Sequence, residues 1–349
     1  MKFTCTPSTI KNTLQTVSKI APSKPSYPIL SGVLLAVQGN AITMSATDLD
    51  QSIKATVDGI EVYGEGSIVV PKRFLEVLSK LPNETVIFEV DDKASGKQLT
   101  IQYGKNKFNL NCFDTEEFPQ MPEVEGLAWK MDFDPKKVAF AAAKDEVRGP
   151  VFQAVHIDME AGYAVAMSNP VFAIQKIPFI EGGGAYNIPA GFINKLPAGT
   201  ELMFGSNMVA AISGNYVHTS RLIGGKYFNY KQILDREPTT TVKISALELL
   251  ETVERAALIK NAVSFSFSGF TATVSASSEE GSVQETLAAE IEGGDIEVMI
   301  SAAQLIEFLK WVDGDFVIGF TGVKSPAIVM PGEDWSGVLV PLVPAGGGH

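Results

Sequence analysis

Three histidines and two cysteines are the residues of this chain best suited to nucleophilic or metal chemistry, and their spacing supports neither. A nucleophile needs a base within hydrogen-bond reach and a third group that orients the base. His156 and His218 sit in no recognisable motif, and His349 is terminal. Cys5 and Cys112 form neither a disulfide framework nor a metal-ligand spacing, so reduced, buried thiols are expected. Asp48 and Asp50 alternate like cation ligands, but no full cation loop follows, and they read as polar strand-end residues. A phosphate-binding loop of the ATPase type is absent, and Gly182 to Gly184 reads as a plain turn between strand-like runs. Asn83-Glu84-Thr85 matches a glycosylation sequon by chance. The expectation is a protein that is not an enzyme, with no catalytic residues, no metal and no cofactor.

The spacing that does carry a signal is that of the basic residues. On a helix over 71–81, at about 100° per residue, Lys72, Arg73 and Lys80 fall within about 100° of arc. Phe74, Leu75, Leu78 and Leu81 cluster opposite them. A helix over 8–20 behaves alike, with Lys11 and Lys19 on one face and Ile10, Leu14, Val17 and Ile20 on the other. Lys136, Lys137 and Lys144 lie close together on a helix over 135–144, although Phe140 intrudes. Acidic residues concentrate elsewhere: from Ala262 to Ile300 there are seven and no Lys or Arg. The net charge of −12 excludes a protein that coats nucleic acid by bulk positive charge, but not one with a single basic surface. Basic helices on an acidic body fit such a surface. The third basic set is weak, since Glu248, Glu251 and Glu254 share the helix over 245–260 with Arg255 and Lys260.

These helices belong to a plan repeated three times. Helix starts at Pro71, Pro189 and Ser301 are 118 and 112 residues apart, and each follows a short β-favouring run. A second helix opens each unit, at 8–20, 135–144 and 245–260. Ser8 and Ser245 suit an N-cap, where a side-chain oxygen accepts from the first-turn amides, and Pro135 suits the first turn. The segments between read as antiparallel strands and hairpins; in 53–57, Ile53, Ala55 and Val57 alternate with Lys54 and Thr56. The fold class expected is α+β: three repeated domains, 1–125, 128–236 and 240–344, each with two helices packed on antiparallel sheets. A chain of 349 residues that is 45% hydrophobic and 19% charged is long enough for this and is not disordered. Without an apolar leader or a run of roughly 20 apolar residues, a cytoplasmic protein with no membrane partner is expected.

In their order, the residues resemble a known family, the beta subunit of bacterial DNA polymerase III. The resemblance rests on the MKFT start, Pro28 to Leu35, Ala46 to Asp50, Ile68 to Pro71 leading to Lys80-Leu81-Pro82, Gly104 to Leu110, and Glu117-Phe118-Pro119. It continues through Ser220 to Ile223, Gly225-Lys226, Tyr230, and Val338 to Leu342. It implies a sliding clamp: a head-to-tail homodimer closing a ring of six domains around double-stranded DNA and tethering DNA polymerase and clamp-loader subunits. By the same resemblance, Lys24, Lys72, Arg73, Lys136, Lys137, Arg148 and Lys195 would line the ring and face DNA. Phe108 and Leu110 would meet Leu258 and Ile259 across the dimer interface. Clamp-binding peptides would enter a pocket of Val151, Phe152, Met167, Phe172, Ile233, Ser325, Val338, Val340, Pro341 and Leu342.

The chain departs from the family pattern around that pocket. Met167 to Phe172 replaces a polar, Gly- and Arg-containing run, Phe228 stands where Pro is usual, and Gln232 where Arg is usual. The tail runs past Leu342 to His349. An alternative reading is therefore a divergent clamp paralogue or decoy with an altered pocket. A third, a β-rich enzyme or ligand-binding protein, would be monomeric with a small-molecule pocket.

Overall fold

The computed structural model describes residues 1–93, 96–145, 149–234, 237–322, 327–329 and 334–342. Among these are seven α-helices: α1 (Pro7–Val17), α2 (Arg73–Leu78), α3 (Lys136–Ala139), α4 (Ala190–Ile193), α5 (Lys231–Leu234), α6 (Ala246–Ile259) and α7 (Ala302–Leu309). Every strand pairing among the described residues is antiparallel, giving the mixed helix-and-sheet class expected. No helix among them is long and apolar enough to cross a membrane.

The helices follow the apolar spacing where that spacing is long. In α1, Ile10, Leu14 and Val17 are buried, and in α6, Ala246, Leu249, Val253 and Ala256 are. Ser245 caps α6, its side chain accepting from the Glu248 amide at 3.4 Å. Ser8 does not cap α1: Pro7 takes the first turn, where its missing N–H costs nothing, and Thr6 stands before it. The helices expected over 71–81 and 135–144 are shorter than their apolar patterns. At the end of α2 the Ser79 amide and Oγ both donate to the Leu75 carbonyl, at 3.0 and 2.8 Å, and the Lys80 amide then tightens to a three-residue bond with Val77. After α3 the amides of Ala141 and Ala142 reach back three residues, and the Ala143 amide turns to the Phe152 carbonyl at 2.7 Å. Ala262–Ser268 and Thr271–Ser278 form a hairpin turned by Gly269 at φ +61°.

The chain forms two compact units, and the second repeat is divided between them. The first unit, Met1–Met131 with Gly199–Arg221, holds two sheets. A five-stranded sheet runs Glu61–Gly64, Lys2–Cys5, Val86–Lys93, Gly96–Tyr103, Asn106–Asn111. An eight-stranded sheet runs from Leu127–Lys130 to Gly66–Pro71, and within it Tyr216–Arg221 of the second repeat pairs with Gln51–Asp58 of the first. Its core centres on Phe3, Phe74 and Phe88, with the Phe3 and Phe88 rings stacked at 4.8 Å. Each such ring contributes roughly 2–3 kcal/mol through burial. Asp48 is the strand-end residue expected: its carboxylate accepts from the amides of Asp50 and Gln51, holding Leu49 at φ +81°.

The second unit, Asp132–Ala198 with Leu222–His349, holds a nine-stranded and a four-stranded sheet. In the larger, Trp335–Leu339 of the third repeat pairs with Val171–Lys176 of the second. Phe308 of α7 meets Phe140 edge-on at 5.0 Å, and Trp335 Nε1 donates to the Lys137 carbonyl at 2.8 Å. The four-stranded sheet ends on Gly281–Ala288.

The repeats share one register. Pro71, Pro189 and Ser301 lie opposite Gly32, Ala154 and Ala262. Followed through the next two ladders, this makes Lys54, Ile174 and Gln284 equivalent positions. Lys54 pairs with Val217 and Ile174 with Ser336, each the second residue of its repeat's last strand. The last strand of the first repeat, Asn106–Asn111, and the strand holding Gln284, Gly281–Ala288, are sheet edges.

Candidate functional site

The expected pocket residues fall into two groups. Val151, on a 3₁₀ turn, and Met167, at the end of its strand, are half-buried and pack on a cluster containing Phe172 and Val338. The ladder sets Met167 opposite Phe172 and Phe172 opposite Val338. Four positions distant in sequence therefore meet. Val340, Pro341 and Leu342 continue from the strand as irregular backbone, the Val340 amide donating to Pro170 and the Leu342 amide to Met299. Phe152 is half-buried beside Val151. Ser325 and the side chain of Ile233 lie outside the described residues.

The same cluster contains Tyr227 and Tyr230. Behind them is a buried polar network. His156 stacks on Tyr227 with centroids 4.4 Å apart and planes 2° from parallel. Its Nδ1 lies 2.7 Å from Asn187 Oδ1. The Asn187 amide nitrogen donates to the carbonyls of Ile223 (3.1 Å) and Gly225 (2.9 Å), so its oxygen is left to accept, and His156 Nδ1 carries the proton. Tyr230 donates to Asp158 at 2.9 Å. Burial lowers the His156 pKa from its usual 6.5, opposed by the Asn187 bond and the Asp158 charge, so the ring is neutral. Burial likewise pushes both tyrosine hydroxyls up. One signal could have found this network: Asn187 is a buried amide on the otherwise apolar strand Ala185–Pro189.

The basic residues are less uniform than their helical wheel. Lys24, Arg73, Lys136 and Lys195 are exposed, while Lys72 and Lys137 are half-buried. Lys72 Nζ donates to the Ala21 carbonyl at 2.5 Å, which fixes the segment after α1. Arg73 faces an apolar concavity of about 830 Å³ with Leu75, Val77, Tyr103 and Phe108. Arg148 lies outside the described residues.

The expected interface residues lie at or near the two free edges. Phe108 is 39% exposed on Asn106–Asn111, whereas Leu110, two residues on, is buried in the first unit's core. Leu258 is 83% exposed at the end of α6, and Ile259 lies against Gly281 at the start of the other edge. Arg255 of α6 holds Glu285 of that edge through two hydrogen bonds of 2.7 and 2.6 Å, keeping the carboxyl below its usual pKa. Among the described residues, no group of His, Cys, Asp and Glu could hold a metal ion. Cys5 and Cys112 are free, burial raising Cys5 to about 12 and Cys112 to about 11.

Three repeats of one strand-and-helix plan, joined through continuous sheets, define the clamp fold. Residues 1–122 match the family model described as DNA polymerase III beta subunit, N-terminal domain, and residues 231–342 match its C-terminal domain. The chain belongs to the family of bacterial DNA polymerase III beta subunits, the beta sliding clamps. It is 28% identical to the beta sliding clamp of Halalkalibacterium halodurans, over 90% of this chain and 92% of that one. It is similar to the crystal structure of the Bacillus subtilis DNA polymerase sliding clamp, with a TM-score of 0.91 and 25% identity over 98% and 99% of the two chains. A Pseudomonas aeruginosa sliding clamp bound to griselimycin shares the fold at 22% identity, with a TM-score of 0.86 over 98% and 99%.

Proposed function

We propose that this chain is one half of a ring that encircles duplex DNA as a replication processivity factor, retained by topology and catalysing no reaction itself. The domains would be 1–125, 128–236 and 240–344, and two chains head to tail would supply six. The observation that carries this reading is the register shared by the repeats. In both internal junctions the last strand of one repeat is zipped onto the strand carrying Lys54 or Ile174 in the preceding repeat. The first repeat's last strand and the third repeat's equivalent strand are the unused counterparts. Applying the same register between two chains sets Lys107 opposite Gln284, Phe108 opposite Val283 and Leu110 opposite Gly281. Phe108 and Leu110 then approach Ile259 and Leu258, and the edges that would invite uncontrolled pairing are both covered.

Lys136 and Lys137 on α3, with Lys24 and Lys195 on the turns after α1 and α4, would line the opening, and Lys72, Arg73 and Arg148 would lie nearby. Loose phosphate contacts there suit a protein of net negative charge, because a closed ring needs little affinity to stay on DNA. DNA polymerase and clamp-loader subunits would dock short peptides on Val151, Met167, Phe172 and Val338, an apolar cluster suited to hold a few apolar anchors. The cytoplasm is where this reading places the protein.

Sedimentation of the full chain over a range of concentrations tests the reading. A species of twice the 37.4 kDa chain mass that persists on dilution is expected. A monomer at every concentration would overturn the ring.

A further inference from the structure

Tyr227 stands out in the partner cluster because it is 7% exposed and its hydroxyl has no hydrogen-bond partner of acceptable geometry among the described residues. The oxygen lies beside the Met167 backbone. The ring is not free to turn away, since it is stacked flat on His156, and His156 is fixed through Asn187 to the backbone at Ile223 and Gly225. The chain therefore orders a buried donor against apolar neighbours, an arrangement that costs stability unless something completes it. Those neighbours include Val151 and Met167, which are only half-buried, and Met167 has an unbranched side chain that readily changes shape.

We infer that Tyr227 is a specificity residue of the partner pocket, its hydroxyl donating a hydrogen bond to a carbonyl oxygen of the bound peptide once an anchor displaces the Met167 side chain. His156 and Asn187 are its positioning residues. The inference rests on the partner-pocket reading above. It assigns this clamp a preference for peptides that bring an acceptor to the pocket floor over peptides with aliphatic anchors alone. A site built to hydrogen-bond its ligand rejects an analogue lacking the acceptor, because the buried donor is then left unpaired.

The test is fluorescence anisotropy with the full-length protein and two labelled synthetic peptides. Both carry leucine and phenylalanine anchors, and one has a glutamine where the other has a leucine. Tyr227→Phe is expected to weaken the glutamine peptide about five- to tenfold and to change the leucine peptide little, with the unfolding midpoint unchanged or raised. His156→Ala is expected to weaken the glutamine peptide likewise, and His156→Phe, which preserves the ring stack, to restore most of the affinity. Equal affinities of the wild type and Tyr227→Phe for the glutamine peptide would overturn the inference. Val151→Asp, at a half-buried position on the rim of the cluster, separates the two levels. If it abolishes binding while Tyr227→Phe has no effect, the pocket stands and the hydrogen bond falls; if it leaves binding intact, the pocket itself is misplaced.

Discussion

Replacing Asn187 by alanine removes three hydrogen bonds at once, one of them fully buried. Asn187 is 7% exposed, and its side chain accepts from His156 at 2.7 Å and donates to Ile223 and Gly225 at 3.1 and 2.9 Å. In Asn187→Ala the buried His156 donor is orphaned, a loss of about 1–3 kcal/mol, and two carbonyls each lose a bond worth about 0.5–1.5 kcal/mol. Allowing for relaxation of the 223–230 segment, the expected destabilisation is about 3 kcal/mol. Urea unfolding at pH 8, followed by tryptophan fluorescence, measures it. His156→Ala alone and the double variant complete a cycle, and a coupling of at least about 1 kcal/mol is expected for groups in direct contact. A loss under about 1 kcal/mol for Asn187→Ala, or strict additivity with His156→Ala, would refute the tautomer assignment and the lock it describes.

Acidification should act through the same histidine. Its folded pKa is depressed, so between the folded value and the unfolded value near 6.5 the unfolded chain binds the extra proton. Stability is then complete above about pH 7 and falls as pH drops through 6.5. Unfolding midpoints measured against pH check this, and His156→Phe should flatten that part of the profile. Gly337→Ala should destabilise the second unit by about 2 kcal/mol or more, because an added Cβ would collide with the Phe308 ring and the Phe172 carbonyl; thermal unfolding reads it. Phe108→Asp should shift sedimentation from dimer to monomer without lowering the unfolding midpoint, since the side chain is exposed in the single chain. Reversing Lys136 and Lys195 to Glu together should shorten residence on DNA at low salt and matter little at high salt, read by filter retention.

The long helices were legible because apolar residues recur at helical spacing over three turns, as in Ile10, Leu14 and Val17. The short ones were not. Residues 140–143 carry a helix-compatible pattern, but the Ala143 amide finds a better-placed acceptor at Phe152, a tertiary bond no local pattern reports. The repeat period was readable from Pro71, Pro189 and Ser301, whereas the division of the second repeat between two units follows from strand pairing across repeats. Phe172 and Val338 were reached through family resemblance, since nothing local to either predicts that they face each other. Tyr227 was not among the expected pocket residues, because nothing in the run from Gly225 to Tyr230 reports what its ring packs against. The stack on His156 sets its ring in the cluster with Phe172 and Val338. The helical spacing also gave no sign that the Lys72 ammonium donates to the Ala21 carbonyl, a contact 51 residues away in sequence.

A ring closed around DNA by the register of the repeats can be locked by a disulfide across the two edges. Directly opposed strand residues have Cβ atoms about 4.5–5.5 Å apart, near enough for a disulfide after small adjustment. The variant Phe108→Cys with Val283→Cys is mixed, reduced, with nicked circular DNA, oxidised, and denatured in SDS. Cys5 and Cys112 remain silent because burial raises their thiols to about 12 and about 11. A doubly bridged dimer is expected to stay with the circle in SDS and to be released when the DNA is cut once. Failure to form the bridge, or bridged dimer that leaves intact circles as readily as linear DNA, would contradict it.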